Sequence, residues 1–116
     1  MRNLKKFSLL FALLLVTAAT AAAQDGASKY AKLGANKIHY KSYGKGKDAL
    51  VLVHCWTCNL ELWRDQIPEF SKRARVVALD LPGHGLSDKP QTTYSMDFFA
   101  DAVDAVLKDA GLSMLF

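Results

Sequence analysis

The sequence has few cysteines and little net charge, and each of these shortages argues against a class of protein. Its two cysteines are Cys55 and Cys58. A structural zinc site needs four ligands, and the chain has no second cysteine pair to complete one. The three histidines, His39, His54 and His84, lack a recognisable metal-binding spacing. We therefore predict neither a metal nor another cofactor.

The formal net charge of +4 comes largely from the start of the chain. Arg2, Lys5 and Lys6 supply three of the positive charges, and without them residues 24–116 carry a net charge of +1. So small an excess does not favour binding to nucleic acid or to an anionic membrane. With 51% apolar and 22% charged residues, the 116-residue chain is typical of one small globular domain at most.

Residues 1–23 have the three-part layout of a secretory signal peptide. A basic start precedes an apolar run over residues 7–16, and small residues follow up to Ala23. The apolar run is shorter than the roughly 20 residues that a membrane span requires. We predict cleavage after Ala23, a secreted or periplasmic location, and no stable membrane association of the mature chain. Export would place the two thiols in an oxidising compartment.

The mature part begins with segments of different character. Residues 24–35 are small and polar, which predicts a flexible lead-in, and residues 36–44 alternate like a half-exposed strand on which His39 faces solvent. Residues 49–55 contain a continuous apolar run, and residues 74–80 are predicted to form a second buried strand. Such runs are typical of strands that are buried on both faces of a parallel sheet.

Two segments have the apolar spacing of helices. The first covers residues 60–73, and we expect Pro68 to end or break it. The second follows Ser95, a plausible N-cap, and Gly111 is placed to cap its end. Strands that alternate with helices predict an α/β architecture with a mostly parallel sheet.

The loops after the two buried strands are where parallel α/β proteins gather their chemistry. They read His-Cys-Trp-Thr-Cys-Asn at 54–59 and Asp-Leu-Pro-Gly-His-Gly-Leu-Ser-Asp at 80–88, with Leu-Trp-Arg-Asp-Gln-Ile-Pro at 62–68 between them. In this order and spacing, the three motifs resemble the amino-terminal part of an α/β-hydrolase-fold enzyme. The resemblance implies that residues 36–116 are the first strands and helices of an incomplete hydrolase domain.

The resemblance also implies roles for the residues of the two loops. In such enzymes the first loop supplies one backbone N–H of the oxyanion hole, and by position this donor is Trp56. His54 matches a family histidine that braces the turn. Cys55 stands where the family usually has glycine, so a left-handed backbone there would be strained by its Cβ. A purely architectural role is implied for Asp80, Gly83, His84, Gly85 and Ser87.

The nucleophile motif of the family, Gly-x-Ser-x-Gly, does not occur in residues 1–116, and Ser87 lacks this setting. The acid and the base that follow the nucleophile are missing too. We therefore expect a fragment of a longer exported hydrolase that acts on a small-molecule substrate, through an ester or a related bond. On its own the chain is expected to be inactive.

Two other functions stay open from the sequence. Cys55-x-x-Cys58 after a buried strand is also the pattern of a thiol-disulfide redox protein, in which one thiol is acidic. A disulfide between the two cysteines is compatible with an exported protein. The absence of a nucleophile also fits a binding fragment without enzymatic activity.

Overall fold

A computed structural model describes residues 26–113 of the chain. The predicted signal peptide, its cleavage site after Ala23 and the last three residues lie outside the described residues. In chain order the described elements are β1 (Ser28–Leu33), β2 (Asn36–Tyr43), β3 (Ala49–Val53), a 3₁₀ helix (Leu60–Trp63), α1 (Ile67–Phe70), β4 (Arg75–Leu79) and α2 (Met96–Asp109). Within residues 26–113, no helix has the length and apolar character needed to cross a membrane.

The four described strands form one mixed sheet in the order β1-β2-β4-β3. β2 is antiparallel to both β1 and β4, whereas β3 and β4 are parallel. A parallel pair requires a crossover connection, and residues 54–74 provide it with their two short helices. Because β3 and β4 are parallel, their carboxyl ends lie at the same edge, and the loops 54–59 and 80–88 lie side by side.

Strand β1 lies within residues 24–35, where the sequence predicts a flexible lead-in. The structure differs because six residue pairs join β1 to β2, from Ser28 opposite Lys41 to Leu33 opposite Asn36. The side chain of Ala31 is fully buried in an apolar cluster with residues of the helix Met96–Asp109. The polar residues that suggest a loop, Ser28, Lys29 and Lys32, are exposed on an edge strand.

The two apolar strands differ in burial. In β4 the side chains from Val76 to Leu79 are buried, as predicted. In β3, Leu52 is buried but Leu50 and Val53 are 40% and 42% exposed. The described residues cover β3 from one side only, by pairing with β4, and its other side is an apolar edge.

The segment 60–73 forms a 3₁₀ helix and the short helix α1 rather than one continuous helix. Pro68 lies in the first turn of α1 instead of ending a helix. This position suits proline, because the N–H that it lacks would have no intrahelical partner there. The segment is interrupted, but the break lies at residues 64–66, so the prediction that Pro68 ends or breaks the helix is wrong.

Helix α2 has the caps that its sequence predicts. The Ser95 Oγ accepts a hydrogen bond of 3.1 Å from the Phe98 N–H, and Gly111 has a left-handed φ of 69° just beyond the helix end. The helix packs its buried residues against β1 and β2 in an apolar cluster that includes Ile38 and Tyr40. A second cluster contains Leu60 and Ile67 of the crossover. The sheet is thus anchored by apolar packing beside the two loops.

Candidate active-site loops

The first loop contains a tight turn centred on Trp56 and Thr57. The Cys58 N–H donates to the Cys55 carbonyl oxygen at 3.1 Å, which closes the turn over residues 55–58. Thr57, with a φ of 66°, is the one non-glycine residue of the described chain in the left-handed region. The suggestion that Cys55 bears the left-handed strain is therefore wrong, because the strained position comes two residues later.

His54 stabilises this turn through hydrogen bonds of both its ring nitrogens. It is 4% exposed, and its Nε2 accepts a hydrogen bond of 3.0 Å from the Leu81 N–H. The proton of the neutral ring must then lie on Nδ1, which donates to the Cys55 carbonyl oxygen at 2.8 Å. The side chain ties the end of β3 to the start of the second loop, which is the architectural role implied by its sequence.

His84 makes a second connection between the loops. Its Nε2 accepts a hydrogen bond of 3.2 Å from the Thr57 N–H, and its Nδ1 donates to the Pro82 carbonyl oxygen at 2.9 Å. The Trp56 ring packs edge-on against the His84 ring at a centroid distance of 5.2 Å, yet it is 63% exposed. The Thr57 N–H donates to His84 and the Cys58 N–H donates to the Cys55 carbonyl oxygen. The neighbouring Trp56 N–H takes part in neither of these two hydrogen bonds.

Asp80 organises the second loop from the end of β4. The residue is 2% exposed, and its carboxylate accepts hydrogen bonds from the Leu60 N–H at 2.7 Å and the Leu86 N–H at 2.9 Å. Gly85, with a φ of 51°, passes so close that an added Cβ would meet this carboxylate. Gly83 also has a positive φ, of 83°, and its missing Cβ leaves room for the Tyr94 ring. Both glycines are thus required by geometry.

Ser87 is a buried structural residue. Its Oγ donates to the Asp80 carbonyl oxygen at 2.6 Å and accepts from the His39 N–H at 2.8 Å. With 2% exposure it offers no surface to a substrate. Its placement agrees with the architectural role that the sequence implies.

His39 is 1% exposed, so the prediction of an exposed strand residue is wrong. Its Nδ1 lies 2.8 Å from Asp80 Oδ2, and its Nε2 lies 2.9 Å from Ser28 Oγ. The ring of Tyr30 on β1 lies beside it, at a centroid distance of 5.2 Å. Sequence reasoning missed this cluster because the burial comes from β1, which is hard to recognise as a strand.

An open pocket of about 490 Å³ lies between the two loops. It is lined by Trp56, Thr57, Cys58, Asn59, Gly83, His84, Gly85 and Tyr94. The pocket therefore lies at the carboxyl ends of β3 and β4, as expected for a parallel α/β sheet.

Both cysteines are free thiols. The hydrogen bond with the Cys55 side chain raises the pKa of the Cys58 thiol above its ordinary value. The two sulfurs are thus neighbours across the turn.

Known proteins share the sequence and the fold of this region. The family described as alpha/beta hydrolase fold matches residues 48–113. Epoxide hydrolase 4 of Mus musculus is 38% identical over 80 residues, which cover 66% of this chain and 22% of that protein. The pimeloyl-[acyl-carrier protein] methyl ester esterase of Edwardsiella ictaluri is 38% identical over 73 residues, covering 63% of this chain and 27% of that enzyme.

A solved structure gives the same picture. The epoxide hydrolase CorEH superposes with a TM-score of 0.68 and 32% identity, over 73% of this chain and 30% of that structure. The chain spans about a quarter of the length of the two curated relatives, since it covers 22% and 27% of them. The matched region includes both loops and the strands that carry them. The chain belongs to the alpha/beta hydrolase fold family.

Proposed function

We propose that this chain carries the oxyanion-binding turn of an exported α/β hydrolase. The complete protein would cleave an ester or a related bond of a small molecule with a serine nucleophile, without a cofactor. Nucleophile, acid and base would come from a part of that protein other than residues 1–116, so the chain alone would not hydrolyse by the family mechanism. The basic, apolar and small-residue layout of residues 1–23 supports export.

The observation that carries this proposal is the position of the Trp56 N–H. Both flanks of Trp56 are fixed by histidines, since His54 binds the Cys55 carbonyl oxygen and His84 binds the Thr57 N–H. The Trp56 N–H takes part in neither contact, and the residue lines the open pocket. A rigid donor beside a pocket is what an oxyanion hole requires, because it stabilises negative charge without reorganising during the reaction.

The pocket and the relatives support a small-molecule substrate. The pocket of about 490 Å³ has the size of small-molecule sites and combines the aromatic rings of Trp56 and Tyr94 with backbone polar groups. The two curated relatives are named as an epoxide hydrolase and a methyl ester esterase, and both names describe cleavage of a carbon–oxygen bond. We therefore infer a small ester or a related electrophile as the substrate.

The thiol-disulfide alternative has less support. The Cys55-x-x-Cys58 pattern lies inside residues 48–113, which match the alpha/beta hydrolase fold family. The turn at 55–58 precedes a short 3₁₀ helix, Leu60–Trp63, rather than a longer helix whose N-terminus would acidify a thiol. No contact among the described residues specifically supports the other alternative, a binding fragment without enzymatic activity.

The proposal is tested by measuring turnover of a nitrophenyl ester. The enzyme for this assay is the protein encoded by the complete reading frame that contains residues 1–116. Trp56→Pro removes the N–H, and proline suits this second position of the turn. Trp56→Ala keeps the N–H and removes the ring, so it is the matched control. We expect Trp56→Pro to lower kcat about 100- to 1,000-fold relative to Trp56→Ala. Equal kcat values for the two variants would remove Trp56 from the oxyanion hole.

A further inference from the structure

A serine, a histidine and an aspartate outside the pocket form a continuous chain of hydrogen bonds. Asp80 Oδ2 lies 2.8 Å from His39 Nδ1, and His39 Nε2 lies 2.9 Å from Ser28 Oγ. We propose that Ser28 is a second nucleophilic site, which is acylated by small activated acyl or phosphonyl donors. His39 would serve as its general base and Asp80 as the residue that orients the base.

The direction of each hydrogen bond follows from the partners of Asp80. The carboxylate also accepts from the Leu60 and Leu86 N–H groups, so it acts as an acceptor throughout. His39 therefore carries its proton on Nδ1 and donates it to Asp80. The Nε2 of the neutral ring is left as an acceptor, and the Ser28 hydroxyl donates to it. This is the arrangement that activates a serine for attack.

The three hydrogen-bonded residues differ in their exposure to solvent. His39 and Asp80 are 1% and 2% exposed, so the base and its orienting carboxylate are shielded from water. Ser28 is exposed and lies on β1, at the edge of the described sheet. A reagent can therefore reach the hydroxyl, whereas the base is reached only through it.

A structural role for His39 alone does not need Ser28. The His39 N–H already binds Ser87 Oγ, and Nδ1 already binds Asp80, so β2 is joined to the second loop by these two contacts. The contact between Nε2 and Ser28 is additional, and it places an accessible hydroxyl on the free acceptor of a buried imidazole. This feature distinguishes a reactive serine from a buried structural one such as Ser87.

The covalent step balances without a further reactant. The Ser28 Oγ attacks the carbonyl carbon of an activated ester while its proton moves to His39 Nε2, and Asp80 stabilises the resulting imidazolium. The tetrahedral intermediate collapses, the bond to the leaving oxygen breaks, and that oxygen takes the proton from Nε2. The products are acyl-Ser28 and the alcohol. With a fluorophosphonate, the Ser28 Oγ attacks phosphorus, the P–F bond breaks, and phosphonyl-Ser28 and hydrogen fluoride are formed. Donors with good leaving groups are favoured, since Ser28 lies on an open strand rather than in the pocket between the loops.

The test uses the 116-residue chain and a fluorophosphonate ester, with adducts located by peptide mass spectrometry. Ser113 is the internal reference. It is exposed, and no histidine is placed to act as its base, because both ring nitrogens of each histidine are hydrogen-bonded to other groups. General-base assistance predicts labelling of Ser28 about 100-fold faster than Ser113 in the folded chain. The preference should disappear in urea, which abolishes the contact with His39.

Two variants complete the experiment. Ser28→Ala should abolish the fast adduct and Ser113→Ala should leave it unchanged, with both variants showing the circular dichroism of the parent chain. Similar labelling rates at Ser28 and Ser113 in the folded chain would overturn the proposal. So would a fast adduct that persists in Ser28→Ala. These outcomes are independent of the oxyanion role of Trp56, which is measured as kcat in the complete reading frame.

Discussion

The Thr57 N–H donates to His84 Nε2 at 3.2 Å, and this hydrogen bond joins the loops that follow two neighbouring parallel strands. The donor belongs to the residue with the strained backbone, whose φ is 66°. The acceptor is fixed in turn by its second nitrogen, which binds the Pro82 carbonyl oxygen. The strained turn is thus supported by the second loop, and neither loop is expected to adopt its conformation alone.

Glycine substitutions in the turn distinguish Thr57 from Cys55. We expect Thr57→Gly to raise the free energy of unfolding by about 0.5–1 kcal/mol, because relief of left-handed strain exceeds the entropy cost of glycine. Cys55→Gly should lower it by about 0.5–1 kcal/mol, since that backbone has no such strain to relieve. Urea unfolding of the two variants measures both effects. A stabilised Cys55→Gly would return the strained position to Cys55.

The sequence predicts only part of the structure of the turn at residues 55–58. Its resemblance to a hydrolase motif correctly places the two loops together, and His54 makes the bracing hydrogen bonds implied for it. Analogy alone assigns the left-handed residue to Cys55, because glycine usually stands there in the family. A backbone angle depends on how the whole turn closes, and here the turn closes with Thr57 in that region.

Local patterns are sufficient for β4 and α2 and insufficient for β1. The apolar run of β4 and the capped, amphipathic α2 carry their own signals. Strand β1 is polar on its solvated side, so it is recognised only through its pairing with β2. The burial of His39 depends on β1 and on Asp80, which lies 41 residues away along the chain. Such a site cannot be seen in the spacing of either segment.

Gly85 and Gly34 allow the close approach of Asp80 to be tested separately from backbone strain. Both glycines have similar positive φ values, of 51° and 59°, but an added Cβ meets the Asp80 carboxylate only at Gly85. We expect Gly34→Ala to cost about 1–2 kcal/mol of stability from the left-handed backbone. Gly85→Ala should cost at least about 3 kcal/mol more, because displacing Asp80 leaves the Leu60 and Leu86 N–H groups unsatisfied.

Urea unfolding of these two alanine variants gives the comparison directly. Equal losses of stability would mean that the loop shifts freely away from Asp80. In that case the carboxylate would not be the fixed centre of the second loop.

The hydrogen bond between Tyr40 and Asp109 predicts a pH dependence at the alkaline end. Burial, followed by the 2.6 Å hydrogen bond to Asp109, raises the pKa of Tyr40 from 10.0 to about 12. The folded chain therefore holds this proton where the unfolded chain has lost it. The stability that Tyr40 contributes is complete below pH 10 and is lost as the pH rises toward 12.

Tyr40→Phe tests this linkage. The variant should be about 1 kcal/mol less stable than the parent at neutral pH, because it lacks the bond to Asp109. The difference between the two should shrink between pH 10 and 12 as the parent loses its advantage. Tyr30→Phe is the control, since Tyr30 is 47% exposed. A difference that stays constant up to pH 12 would contradict the raised pKa.

The pKa of the Cys58 thiol depends on its neighbour Cys55. Because the Cys55 side chain raises the pKa of Cys58, Cys58 should react with iodoacetamide only at higher pH than an ordinary thiol does. Cys55→Ala removes the hydrogen-bonding side chain, so alkylation of Cys58 should then begin at lower pH. Peptide mass spectrometry across pH 6–11, a range of about 2.5 units on either side of the free thiol pKa, gives the rate for each cysteine. Rapid alkylation of Cys58 near pH 6 would contradict its raised pKa, whereas rapid alkylation of Cys55 at that pH would support the thiol-disulfide function.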